Sequence, residues 1–228
     1  EHQGPTARGL PEWIRNLDKL VRLSVPDYHL TELPSWIGSF NYLKFLCLDM
    51  ELEDLPDEIG RLTNLEKLTF KTYSDTRWML SRTPRNTNLT DSVANLQRNL
   101  KVLDLSRTAI TSLPELILRL ENLTDLNLSS AKKMRSLPDE IVSLANLRTL
   151  KLDWTIFSSL PSSIGRLTNL RELHLLGTME LQSLPYEIGA LTNLEALNLE
   201  RSRVLSLRSE EHTSELQSRQ YLVCRLLL

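Results

Sequence analysis

Leucines recur along this chain in a fixed order. A unit of the form L-x-x-L-x-L begins at Leu20, Leu43, Leu65, Leu100, Leu123, Leu147, Leu170 and Leu194, in steps of 23, 22, 35, 23, 24, 23 and 24 residues. About five polar residues follow each unit, and then a second apolar group, L-x-x-L-P-x-x-I-x-x-L. The first group alternates apolar and polar positions at its end, the period of a short strand with one buried side. In the second, as in Leu160-Pro161-x-x-Ile164-x-x-Leu167, the apolar positions are three and four apart. That spacing predicts one turn of α- or 3₁₀-helix, with proline at its first position where no amide donor is missed.

A period of 22–24 residues predicts a solenoid, because no single unit can bury its own leucines and stacked neighbours must form one continuous core. Each strand then pairs parallel to the next. Three copies are nearly verbatim: L-P-x-x-I-G-x-L-T-N-L stands at Leu55 to Leu65, Leu160 to Leu170 and Leu184 to Leu194. From roughly Leu10 to Leu207 the chain resembles the leucine-rich repeat family. This version of the motif is similar to intracellular members: Ras-group leucine-rich proteins, the repeat regions of plant disease-resistance proteins, and bacterial effector repeat domains. The inner-ladder asparagine of many such repeats is replaced by Thr108 and Thr155, and earlier by Tyr28 and Glu51.

The resemblance implies an α/β fold, a curved horseshoe segment with a parallel sheet on the concave side and short helical or 3₁₀ turns on the convex side. It also implies a non-enzymatic, cytoplasmic module that binds a protein partner through the concave face, in intracellular signalling or immune recognition. The alternative it implies is the substrate-recognition region of a bacterial effector whose enzymatic domain, such as a ubiquitin ligase, lies elsewhere in the parent protein.

Residues 1–19 read as a partial N-terminal repeat or cap, and 20–207 as a solenoid of about eight repeats. The long step contains an insertion near residues 71–88, where Lys71, Arg77, Arg82 and Arg85 stand against Asp75 alone and enclose Trp78-Met79-Leu80. Insertions in repeat arrays map to loops at one edge. Two roles are open to this one: docking on an acidic surface, or folding back onto the solenoid through Trp78.

Residues 208–228 abandon the pattern. The strings Arg208 to Ser218 and Leu222 to Leu228 resemble one reading frame of a sequencing-library adapter, which implies a non-native tail; the alternative is a divergent amphipathic cap. With an adapter tail the chain is expected to be a fragment. Its last row, Leu194, Leu197, Leu199, Val204 and Leu207, would be left half covered, which favours self-association through the C-terminal end.

The 41% hydrophobic and 25% charged residues match an ordinary globular domain, and no apolar run approaches the ~18 residues of a membrane span. The net charge of −2 is unchanged without the tail, which holds three Arg and three Glu, and the tail supplies one of the two cysteines. Cys47 alone cannot make an intrachain disulfide, so a reducing compartment is favoured over the disulfide-capped secreted class. Asn88, Asn122 and Asn127 begin glycosylation sequons; the last two lie in or beside a strand and read as repeat residues.

Function in such a fold is carried by the residues that face out of the strands. The middle outward column is Ser24, Cys47, Thr69, Asp104, Asn127, Lys151, His174 and Asn198. With its two flanking columns it supplies the candidate partner-binding residues: Arg22, Phe45, Lys67, Lys71, Asp104, Asp125, Asn127, Lys151, Asp153, Glu172, His174 and Leu176, joined by Trp154 at a strand end and Trp78 in the insertion. Early strands carry Arg22, Lys67 and Lys71 against Asp49, whereas later ones carry Asp104, Asp125, Asp153, Glu172 and Glu200 against Lys151. Such polarity steers a charged partner, and Phe45, Trp154 and Leu176 are the apolar anchors.

No catalytic set is expected. Cys47 and His174 share the middle column five strands apart, about 24 Å at strand spacing, too far for a thiol and base pair. There is no Gly-rich phosphate loop, no Cys/His cluster with metal spacing and no implied cofactor. A net charge of −2 disfavours nucleic acid as a partner.

Overall fold

The computed structural model describes residues 9–25, 30, 32–49, 55–71, 91–96, 98–108, 110–204 and 206–208. Among the described residues ten strands follow one another: β1 (Arg22–Ser24), β2 (Phe45–Asp49), β3 (Lys67–Lys71), β4 (Val102–Asp104), β5 (Asp125–Asn127), β6 (Thr149–Lys151), β7 (Glu172–His174), β8 (Ser183–Pro185), β9 (Ala196–Asn198) and β10 (Ser206–Arg208). All but β8 and β10 form one parallel sheet in chain order. β8 and β10 pair parallel in a second, smaller sheet, with Leu207 opposite Leu184.

Register is set by one leucine per coil. Leu23, Leu46, Leu68, Leu103, Leu126, Leu150, Leu173 and Leu197 are successive Cα partners across the main sheet. The 35-residue step does not disturb this, since Leu68 pairs with Leu103 as any other two coils would pair. The insertion leaves the pairing of the coils on either side unchanged. Its residues 72–90, Trp78 included, lie outside the described residues, as do 1–8 and the tail 209–228.

On the opposite side of each coil run short 3₁₀ turns at Glu12–Asn16, Ser35–Ser39, Asp57–Arg61, Asp91–Leu96, Asp139–Ser143, Ser162–Arg166 and Tyr186–Ala190, with one α turn at Glu115–Leu118. The proline sits one place earlier than the sequence pattern predicts. Pro34, Pro56, Pro138 and Pro161 precede their turns with extended ψ of 147 to 153°. Each proline carbonyl accepts the amide of the isoleucine three residues on, as Ile164 N–H donates to Pro161 O at 3.1 Å. The residue without an amide thus opens the turn as an acceptor only.

Between the two sides lies the core. Ile37, Ile59, Ile117, Ile141 and Ile164 from the turns are fully buried with the strand leucines from Leu46 to Leu173, and so are Phe40, Phe70 and Phe157. At the C-terminal end Leu194, Leu197, Leu199 and Val204 are only partly buried.

An asparagine ladder ties the coils along one edge. Asn64 Nδ2 donates to Asn41 O at 2.6 Å, Asn99 to Thr63 O, Asn122 to Arg98 O at 3.0 Å, Asn146 to Glu121 O at 2.9 Å, Asn169 to Ala145 O at 2.9 Å and Asn193 to Thr168 O at 2.7 Å. Each of these side chains satisfies a carbonyl that the strand ladder leaves unused. Asn122, at one of the sequons, is thereby a structural repeat residue. On the same edge the Glu66 carboxylate bridges Lys44 at 3.1 Å and Lys101 at 3.3 Å, spanning three coils. Hydrogen bonds from Lys44 and then Lys101 hold its pKa below the ordinary glutamate value.

Close coil stacking explains the glycine of the I-G pair. A Cβ on Gly165 would lie 2.6 Å from Glu187 Cβ and against the Glu187 carbonyl oxygen, and one on Gly38 would lie 2.6 Å from Glu58 O. At Gly189 the same atom meets nothing within 4 Å.

Three outcomes are expected in urea denaturation. Leu150→Asp places a charge in the continuous core and should abolish cooperative folding of the central coils, whereas His174→Ala should change stability by no more than about 0.5 kcal/mol; equal effects would refute the register. Gly165→Ala should cost about 1–3 kcal/mol by forcing two coils apart, while Gly189→Ala should be neutral or slightly stabilising. Glu66→Gln addresses pH. Because the folded pKa of Glu66 is depressed, its contribution is present above the ordinary glutamate pKa and is lost as pH falls through the lower folded value. The stability gap between wild type and Glu66→Gln should therefore shrink through the acid range; a gap that does not change with pH would contradict the ion-pair origin.

Candidate functional site

The concave sheet offers one outward residue per coil in each column, and its strand register fixes which of them meet. Arg22, Phe45 and Lys67 are direct neighbours, then Val102, Asp125, Thr149, Glu172 and Ala196 in the same row. The middle row runs from Ser24 through Cys47, Thr69, Asp104, Asn127, Lys151 and His174 to Asn198. Arg22 and Lys67 are exposed, and Phe45, Asp104, Asp125, Asn127, Lys151, Asp153, Glu172, His174 and Leu176 are half-buried. Lys71 closes β3, with its side chain outside the described residues, as is Trp78.

Several of these side chains have local partners. The Arg22 guanidinium lies over the Phe45 ring, 4.6 Å from its centroid, a cation–π contact that occupies the basic and the aromatic group at once. His174 Nε2 is 3.2 Å from Glu172 Oε2. Asp104 Oδ1 accepts the Ser106 amide at 3.0 Å, Asn127 Oδ1 that of Ser129 at 3.0 Å, and Asn198 Oδ1 that of Glu200 at 2.9 Å. These Asx contacts finish the strand ends. Lys151 and His174 are not acceptors of that kind, and at β6 Asp153 Oδ1 instead takes the Leu176 amide of the next coil at 2.8 Å.

Thr69 departs from the expected pattern. It is 2% exposed rather than outward in water, and among the described residues its Oγ1 has no hydrogen-bond partner. Thr69 faces the concave side of β3 and is covered there, while Lys67 on the same strand stays exposed.

Beyond β4, β5, β6, β7 and β9 the chain turns sharply. Arg107, Ser130, Trp154, Gly177 and Arg201 occupy equivalent positions with φ of 56 to 68°, and each of these amides but the last donates to the next coil, as Trp154 N–H does to Leu176 O at 2.7 Å. The residue that follows is threonine in three coils. Thr108, Thr155 and Thr178 are buried, with Oγ1 donating to Leu105 O, Leu152 O and Leu175 O at 2.6, 2.7 and 2.8 Å. A buried hydroxyl thus occupies the place where many such repeats hold asparagine.

Trp154 is the residue whose surroundings the sequence leaves undecided. Its indole lies across Gly177, where a Cβ would be 2.6 Å from Cζ3, yet it remains 43% exposed. It therefore covers the neighbouring coil with one part of the ring and faces water with another. The signal that points to this contact is the single glycine in the left-handed column, one coil after the tryptophan.

Cys47 and His174 stand on β2 and β7, five strands apart, and make no pair. Among the described residues no group of three or more His, Cys, Asp or Glu is arranged to hold a metal ion, and no helix is long and apolar enough to cross a membrane.

Comparison with known proteins agrees with this architecture. The family described as a leucine-rich repeat region matches residues 125–222. The leucine-rich repeat domain of the type III effector XCV3220 (XopL) is similar at 25% identity and a TM-score of 0.61, over 87% of this chain and 72% of that one. Internalin C2 of Listeria monocytogenes matches at 20% identity and a TM-score of 0.58, over 83% of this chain and 74% of its own. An internalin (inlF) of the same organism matches at 19% identity and a TM-score of 0.50, over 87% and 70%. A search of curated protein sequences returns no match. The leucine ladder in register, the left-handed turns after five of the strands and these likenesses identify the fold as a leucine-rich repeat solenoid.

Proposed function

We propose that this solenoid recognises a protein partner through the concave face from β4 to β9 and carries out no chemistry of its own. Leucine-rich repeat domains are in general protein-interaction modules, and an open parallel sheet that presents one side chain per column per coil is the surface such recognition uses. The observation that carries the reading is the half-exposed set Asp125, Asn127, Lys151, Glu172 and His174 on adjacent strands, which no core packing requires. Phe45 and Arg22 extend the face at the other end. The role is intracellular signalling or immune recognition in the cytoplasm.

A second reading has a specific observation behind it. The repeat domain of a type III effector covers 87% of this chain at 25% identity, which supports a substrate-recognition module of a bacterial effector. Its enzymatic partner domain, such as a ubiquitin ligase, would then be encoded beside it. Gene sequence on either side separates the two, because a nucleotide-binding module with a Gly-rich phosphate loop belongs to a receptor and a secretion leader with a ligase domain to an effector.

Photo-crosslinking tests the shared core of both. A photoreactive residue in place of Lys151 or His174 should capture one partner protein from the native host, and the same group in place of Arg166 on the opposite side should not. Capture from Arg166 alone would place the interface on the 3₁₀ side and refute the concave reading.

A further inference from the structure

The concave face is uneven in chemistry, and one part of it selects a kind of partner. In the row that follows the middle column, the sequence of coils is Ser106, Ser129, Asp153, Leu176 and Glu200. The apolar member therefore stands between two carboxylates. Trp154 lies beside it, with its amide bonded to Leu176 O and Asp153 Oδ1 bonded back to the Leu176 amide, so tryptophan, leucine and aspartate form one fixed unit. The indole has no freedom to fold inward, because Gly177 beneath it offers bare backbone and the ring already rests on that surface.

Held in this way, the exposed part of the ring loses little further freedom when it is covered, which is the property of an interface anchor. The outward columns of this end carry Asp153, Glu172 and Glu200 against Lys151, and Arg201 Nε lies 3.7 Å from Glu200 Oε1. An acidic partner would have to bring its own charge against these carboxylates, and a wholly apolar one would strip them of water without replacing it. A cationic segment meets neither cost, and tryptophan is the aromatic side chain best suited to a guanidinium or ammonium lying on its face.

We propose that the β6 to β9 end of the concave face binds a Lys- or Arg-rich segment of its partner, with an apolar residue of that segment seated on Trp154 and Leu176. This rests on the concave face being the binding face and adds the chemistry of what binds there.

The test uses a variant that spares the fold. Trp154 has φ of 59°, a conformation glycine adopts freely, so Trp154→Gly removes the ring while it relaxes the backbone. Fluorescence anisotropy is measured with a labelled peptide of alternating Arg and Leu, with one in which Glu replaces Arg, and with one in which Ser replaces Leu. The Arg–Leu peptide should bind the whole chain, more weakly as salt rises, and both control peptides should bind at least about tenfold more weakly. Trp154→Gly should weaken the Arg–Leu peptide about tenfold, measured at a temperature where circular dichroism shows the variant folded.

No binding to the wild type, equal binding of the Glu peptide, or an unchanged affinity of Trp154→Gly would each overturn the proposal; the last would mean diffuse charge attraction alone. If the proposal falls while cross-linking from Lys151 and His174 still captures a partner, the concave reading stands and only the partner chemistry is wrong. If cross-linking fails as well, both are wrong.

Discussion

Every feature of this molecule depends on leucines that cannot be buried within their own coil. Leu150 is fully enclosed only because Leu126 and Leu173 flank it at strand spacing. Burying such a side chain stabilises by roughly 1.5–3 kcal/mol, and the gain is shared between neighbours, so one coil without the next loses part of it. The row from Leu194 to Val204 is only partly buried. The same dependence explains why a 35-residue step leaves Leu68 opposite Leu103, because displacing the leucine row would expose apolar surface in both adjoining coils.

Polar ladders on either side refine what the leucines impose. Asparagine side chains from Asn64 to Asn193 tie the coils where the chain enters each strand, and threonine hydroxyls close the turns where it leaves. Neither set needs a long hydrogen-bonded strand, which is why three residues per strand suffice over most of the sheet. The glycine contacts at Gly38 and Gly165 show how tightly the opposite side is stacked. Together these contacts hold the outward residues in straight columns, and the columns are what a partner meets.

Along those columns charge is distributed unequally. At β1 and β2 the Arg22 guanidinium is engaged with Phe45. From β4 onward carboxylates predominate, two of them, Asp104 and Asp153, with one oxygen occupied by a backbone amide. Such hydrogen bonds orient a carboxylate and leave its charge in place, so the acidic end presents a fixed field rather than a set of mobile side chains. Access varies residue by residue along the columns, from the covered Thr69 to the 43% exposed Trp154.

Much of this was legible in the sequence. Period, strand positions, the inward leucines and the three outward columns follow from the spacing of apolar residues, since a two-residue alternation has only one way to face a core. The five-strand separation of Cys47 and His174 follows from the same count. Tertiary structure decided matters that depend on neighbouring coils rather than on local pattern. Proline caps its turn from one position further out, because its carbonyl is needed by an isoleucine amide. Thr108 and Thr155 supply the inner hydrogen bond, since a hydroxyl reaches a carbonyl three residues back as well as an amide does. Thr69 is buried although its column faces outward, and Arg22 and Phe45 satisfy each other. Trp154 lies on Gly177 because the glycine 23 residues later comes to rest directly beneath it, a contact that no local pattern encodes and only stacking brings about.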